Sequence, residues 1–121
     1  MDKPFRVLIV DDDVNMMRTL ADILAASGYI AETTSSALDG LGKLEANPFH
    51  CVVTDIRMQG MNGVEFQQVI KDKYGPIPVI LITAYADHDL IVRGREQGAL
   101  AFLEKPLNIP LLLSILRAIA T

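Results

Sequence analysis

Apolar residues along the chain fall into two alternating patterns. Residues 5–10 form a short β-branched and apolar run, interrupted only by Arg6 and ending at Asp11, the signature of a strand buried on both faces. The period then changes: Met16, Met17, Leu20, Ile23 and Leu24 recur at helical spacing, and Gly28 follows where a helix would stop. The same alternation predicts strands over residues 29–33, 49–54, 78–83 and 100–103. It predicts helices over residues 37–44, 64–73, 87–97 and 109 to the end. Ser36 with Asp39 has capping-box spacing, Asn108 is the expected cap of the last helix, and Pro110 falls in its first turn, where a missing N–H is harmless.

Strict strand and helix alternation predicts an α/β fold: a doubly wound, five-stranded parallel sheet with right-handed crossovers and helices on both faces. With 121 residues, half of them hydrophobic, residues 1–121 are expected to form one domain around one core. A net charge of −4 excludes the basic bias that tracks a nucleic-acid backbone, and no apolar run is long enough to span a membrane. With no signal-like N-terminus either, a cytoplasmic location is expected. Cys51, alone and inside an apolar run, reads as a buried strand thiol.

In doubly wound folds ligands bind beyond the carboxyl ends of the strands. Those positions hold Asp11, Asp12 and Asp13 after the first strand, Asp55 after the third, Thr83 after the fourth, and Lys105 with Pro106 after the fifth. Asp13 directly precedes a helix and is most simply its cap. Carboxylates gathered at Asp11, Asp12 and Asp55 stay ionised only if cations compensate, and one Mg²⁺ together with Lys105 makes the group neutral. Asp55 is then left as a nucleophilic carboxylate, with the metal and Lys105 placed to stabilise a transferring phosphoryl group and Thr83 to donate a hydrogen bond.

The segments VLIVDDD at residues 7–13, VVTDIRMQGMNG at 52–63, LITAYAD at 81–87 and GALAFLEKP at 98–106 resemble the receiver domain of bacterial response regulators. The resemblance spans essentially the whole chain. It implies a flavodoxin-like fold in which Asp55 takes a phosphoryl group from a histidine kinase, and Asp11, Asp12, Asp55 and the backbone carbonyl of Arg57 hold Mg²⁺. It further implies that Thr83 and Phe102 form the switch pair, that Lys105 contacts the phosphoryl group ahead of a cis peptide to Pro106, and that Arg57 and Tyr85 flank the path of the hydrolytic water. MQGMNGVEF and AFLEKP are similar to receivers attached to transcriptional activators of the enhancer-binding type. Gln59 departs from the family's usual proline, which loosens a loop but removes no acid, hydroxyl or lysine.

The chemistry so implied is a signalling switch that catalyses only its own phosphorylation and dephosphorylation. A dehalogenase-like phosphatase would carry a general acid two residues beyond the nucleophile, where this chain has Arg57. A degenerate receiver would lack part of the acid, hydroxyl and lysine set, and a flavin carrier would not place three aspartates beside the flavin phosphate. His50 and His88, without further ligands at metal spacing, read as surface histidines. The expected output surface is the fourth helix, fifth strand and fifth helix, where Ile109, Leu111 and Leu113 exceed a core stripe of Leu112, Ile115, Leu116 and Ile119. An apolar patch is expected there, with phosphorylation-dependent homodimerisation or docking of an output domain as its use.

Overall fold

Alternation along the central strands determines how the molecule is layered. The computed structural model describes residues 4–84 and 87–121. In β1 (Arg6–Val10), Val7 and Ile9 point to one face of the sheet and Leu8 and Val10 to the other, all four fully buried. The same division holds in β3 (Cys51–Asp55) and β4 (Val79–Thr83), with Cys51, Val53, Ile80 and Ile82 on the first face and Val52 and Leu81 on the second. Strands apolar on both faces need cover on both. The first face packs against α1 (Val14–Ala26) and α5 (Ile109–Ala120), and the second against α2 (Ala37–Ala46), α3 (Gly63–Tyr74) and α4 (His88–Glu96).

With β2 (Ile30–Thr34) and β5 (Ala101–Glu104) at the edges, the sheet is parallel throughout in the order β2-β1-β3-β4-β5. The order reverses between β1 and β3, so the crevice for a ligand opens at the ends of those two strands. The expected elements are all present, with bounds within two residues of the sequence reading. Four of the helices begin on the caps that their sequences offer: Asp13 accepts from the Met16 N–H, Ser36 from Asp39, Asp87 from Leu90 and Asn108 from Leu111. The fifth, α3, starts on a full capping box between Asn62 and Glu65.

The expected surplus of apolar residues on α5 is smaller than the sequence implies. Ile109 and Leu113 are half-buried against the first core, because α1 and α5 alone cover that face and each must use a wide stripe. Of the three residues only Leu111, 45% accessible, is exposed. Cys51 is fully buried, and burial pushes its thiol up to about 12, which fits an inert strand residue. Among the described residues no helix is long and apolar enough to cross a membrane.

Candidate phosphorylation site

The sheet reversal brings together Asp11, Asp12, Asp55 and Lys105. Asp55 is the last residue of β3, and Asp11 and Asp12 follow β1, its neighbour in the sheet. One carboxylate oxygen from each of the three aspartates lies within 4.8 Å of the others. Lys105, just beyond β5, reaches across to place Nζ 2.9 Å from Asp11 Oδ2 and 3.3 Å from Asp55 Oδ2. The peptide from Lys105 to Pro106 is cis, as the resemblance implied.

The acids differ in how they are held. Asp11 Oδ1 accepts the backbone N–H of Asp13 at 2.9 Å. Its Oδ2 is buried and, although ion-paired with Lys105, lacks the geometry of a directed hydrogen bond. A buried carboxylate oxygen without a donor is what a hard cation satisfies, and the oxygen-only donor set suits Mg²⁺. Asp12 is exposed, at the open side of the cluster. Asp55 Oδ1 accepts the N–H of Arg57 at 3.2 Å.

These surroundings set the charge states. Burial, reinforced by the negative charge of Asp11, raises Asp55 above its ordinary 3.8, while Lys105 and the Arg57 N–H work in the opposite direction. For Lys105 burial opposes the ammonium, but pairing with Asp11 and Asp55 outweighs it and lifts the group above 10.5. The site therefore holds a carboxylate that is costly to keep charged beside a lysine that stays charged.

Thr83, the last residue of β4, is buried, and its carbonyl accepts the N–H of Lys105 at 2.9 Å. By strand alternation Thr83 shares a sheet face with Leu81, whose partner across the sheet is Phe102. The Phe102 ring is half-buried in the second core, with the Arg95 guanidinium 5.5 Å from its centroid. Arg57 is exposed, and its guanidinium pairs with Asp87 at the start of α4. Tyr85, the other position expected to flank the water path, lies outside the described residues. Met58 and Met61 pack against the second core. His50 is exposed, but its Nδ1 accepts the Arg6 N–H at 2.9 Å and its ring stacks on Phe5, at the amino-terminal ends of β3 and β1 and so across the sheet from the acids at their carboxyl ends.

Gly63 belongs to the site although the sequence reading passed over it. A Cβ there would sit 2.1 Å from the Asp55 carbonyl oxygen, so only glycine lets the start of α3 lie against the backbone that carries the phosphoacceptor candidate. Its signal was the MNGVEF segment, where Asn62 and Glu65 have capping-box spacing around a glycine.

The family model for the response regulator receiver domain matches residues 7–117. The chain is 37% identical over 102 residues to the transcriptional regulatory protein ZraR of Klebsiella oxytoca, covering 84% of this chain and 23% of that protein. It is 34% identical over 100 residues to the transcriptional regulatory protein FixJ of Bradyrhizobium diazoefficiens, covering 83% of this chain and 49% of that one. The chain thus spans half or less of the length of these relatives. Among solved structures, a response regulator receiver protein from Pseudomonas putida superimposes with a TM-score of 0.93 at 23% identity, over 98% of this chain and 99% of that one, a likeness of fold. With its five-stranded parallel sheet and a family match over nearly its full length, this chain belongs to the receiver domains of response regulators, the signalling switches of two-component systems.

Proposed function

We propose that residues 1–121 form one phosphoacceptor domain in which Asp55 takes a phosphoryl group from the phosphohistidine of a histidine kinase in a Mg²⁺-dependent reaction. A carboxylate oxygen of Asp55 forms the new P–O bond as the P–N bond to the imidazole breaks, and the imidazole keeps the bonding electron pair and takes up a proton. The observation that carries this reading is the convergence of Lys105 Nζ on Asp55 Oδ2 and Asp11 Oδ2 at a sheet reversal. Lys105 neutralises phosphoryl oxygens at that place, and the Arg57 N–H keeps the carboxylate oriented. Asp11, Asp12, Asp55 and the carbonyl of Arg57 would hold Mg²⁺, which supplies the remaining positive charge on the phosphoryl oxygens.

Thr83 and Phe102 are the switch pair in this reading, sharing the sheet face that α4 covers. The change is passed through α4, β5 and α5 to an output domain or partner protein, and the names of the transcriptional regulators to which the chain is similar favour control of transcription as the output. The same face is a candidate for phosphorylation-dependent homodimerisation, with Leu111 as its exposed apolar residue. A depression of about 480 Å³ between α1 and the segment before α5, lined by Asp13, Met16, Leu20, Leu107 and Ile109, suits docking of the kinase beside the acids. The domain acts on no substrate but itself, in the cytoplasm, and makes no direct contact with nucleic acid or membrane.

Incubation with acetyl phosphate and Mg²⁺, followed by intact-mass measurement, tests the reading. One added phosphoryl group is expected in the wild type and none in Asp55→Ala or in EDTA. An equal yield in Asp55→Ala would refute it.

A further inference from the structure

Helix α4 is attached to the domain in an unusual way. Gly94 is its only buried residue, and Leu90, Ile91 and Val92 are only half-buried. Polar contacts of very different kinds hold its two ends. At the N-terminal end Asp87 caps the helix through Oδ1, 3.2 Å from the Leu90 N–H, and its Oδ2 pairs with the Arg57 guanidinium, whose side chain is 59% accessible. Arg57 also donates its N–H to Asp55, so this end is two residues from the phosphoacceptor.

At the C-terminal end the contacts are buried or half-buried. Gln67, on α3 and only 3% accessible, donates Nε2 to the Gly94 carbonyl at 3.1 Å and accepts the Gln97 amide on Oε1 at 2.9 Å. Gln97 Nε2 also donates to the Val64 carbonyl at 3.0 Å. Beneath them α4 is seated directly on the sheet: a Cβ on Gly94 would lie 2.5 Å from Leu81 Cδ1 and 3.3 Å from the Phe102 ring. An exposed ion pair is weak and exchanges readily with water or another anion. A buried amide that loses its partner bears its full desolvation cost. A disturbance at Asp55 therefore breaks the N-terminal attachment before the C-terminal one.

We propose that Gln67 and Gln97 form an amide latch that makes residues 94–97 a fixed pivot, so that phosphorylation swings residues 88–91 about it. The proposal rests on Asp55 being the phosphoacceptor and extends that reading: Gln67 is a positioning residue for the switch, and the surface that reports phosphorylation is the N-terminal half of α4. A dianionic phosphoryl group on Asp55 draws the Arg57 guanidinium from Asp87. The helix start then keeps its cap but loses its tie to the loop after β3.

Amide exchange with and without beryllofluoride and Mg²⁺ tests this in the wild type, Gln67→Leu and Asp87→Ser, the last retaining a capping residue without the charge. In the unmodified wild type, residues 94–97 should exchange about tenfold more slowly than 88–91, and Gln67→Leu should abolish that difference. Beryllofluoride should change exchange in residues 88–91 alone in the wild type and through 94–97 as well in Gln67→Leu. Asp87→Ser should bind the analogue about threefold more tightly. Equal protection of the two halves, or equal responses to the analogue in the wild type, would overturn the pivot. If beryllofluoride leaves the amides around Asp55 unchanged, the phosphorylation reading fails, while the latch is still decided by exchange in the unmodified protein. If Gln67→Leu does not fold, Gln97→Leu removes the same contact from the more accessible side.

Discussion

Helices α1 and α4 begin in the same way and are held in opposite ways. Each starts on an aspartate cap beside the acidic site, Asp13 for α1 and Asp87 for α4. Beyond the cap, α1 buries Met17, Leu20 and Leu24 in the first core, whereas α4 buries no side chain larger than the hydrogen of Gly94. Apolar burial is non-directional and is lost only when the element leaves the core. Directed polar contacts can be exchanged one at a time. A switch that must hold its metal and phosphoryl ligands in place while moving a distant surface needs one helix of each kind, and this domain places the helix anchored in the core next to Asp11 and the one held by exchangeable polar contacts next to Arg57.

The largest expected effect separates the two helices by stability. Leu24→Ala should cost about 3 kcal/mol, the usual range for emptying a leucine site in a core, while Leu90→Ala should cost about 1 kcal/mol or less. Urea unfolding of the two variants measures this, and equal losses would erase the contrast.

The exception on α4 should be Gly94. Alanine improves intrinsic helix propensity by about 1 kcal/mol, yet its methyl group meets Leu81 and Phe102, and overpacking of that kind costs about 1–3 kcal/mol. Gly94→Ala should therefore destabilise the domain. A more stable variant would show that α4 is not seated on the sheet at this residue.

The charge states predict a smaller, pH-dependent effect. Because Asp55 has a raised pKa in the folded state, the folded protein binds that proton more tightly than the unfolded chain, so this residue's contribution to stability falls as pH rises through the carboxylate range. Asp55→Asn should accordingly raise Tm at neutral pH by a few degrees. Mg²⁺ should stabilise the wild type more than Asp55→Asn. Lys105 follows the same sign at higher pH: its raised pKa adds stability that is fully present below 10.5 and lost as pH climbs through the higher folded value. Thermal melts across pH follow both, and a lower Tm for Asp55→Asn at neutral pH would contradict the assignment.

The smallest expected effect concerns self-association. Leu111→Lys should abolish any mass increase seen by sedimentation on adding beryllofluoride and leave the melting temperature nearly unchanged, since Leu111 is exposed. A dimer that tolerates the lysine would move the interface elsewhere.

Much of this was legible before the fold was known, and the exceptions share a cause. Strands and helices followed from apolar periodicity, and Asp11, Asp12, Asp55 and Lys105 could be grouped because a parallel sheet puts all its carboxyl-terminal strand ends on one edge. Gly94 was legible only as a weak helix former, since its real constraint comes from Leu81 and Phe102 on other elements. Gln67 looked like any polar helix residue until Gln97, 30 residues away, met it in the interior. Ile109 and Leu113 were counted as surplus because a helical stripe drawn from sequence does not show how few helices share a sheet face. In each case the missing information was which distant residue stands opposite.

The central claim is that the phosphoryl group resides on Asp55, and the most direct test is to trap it there. Borohydride reduces an acyl phosphate on aspartate to homoserine, so protein treated with acetyl phosphate and Mg²⁺ should, after reduction and peptide mapping, contain homoserine at position 55 alone. Homoserine at Asp11 or Asp12, or its absence from position 55 in protein that carries a phosphoryl group, would contradict the account.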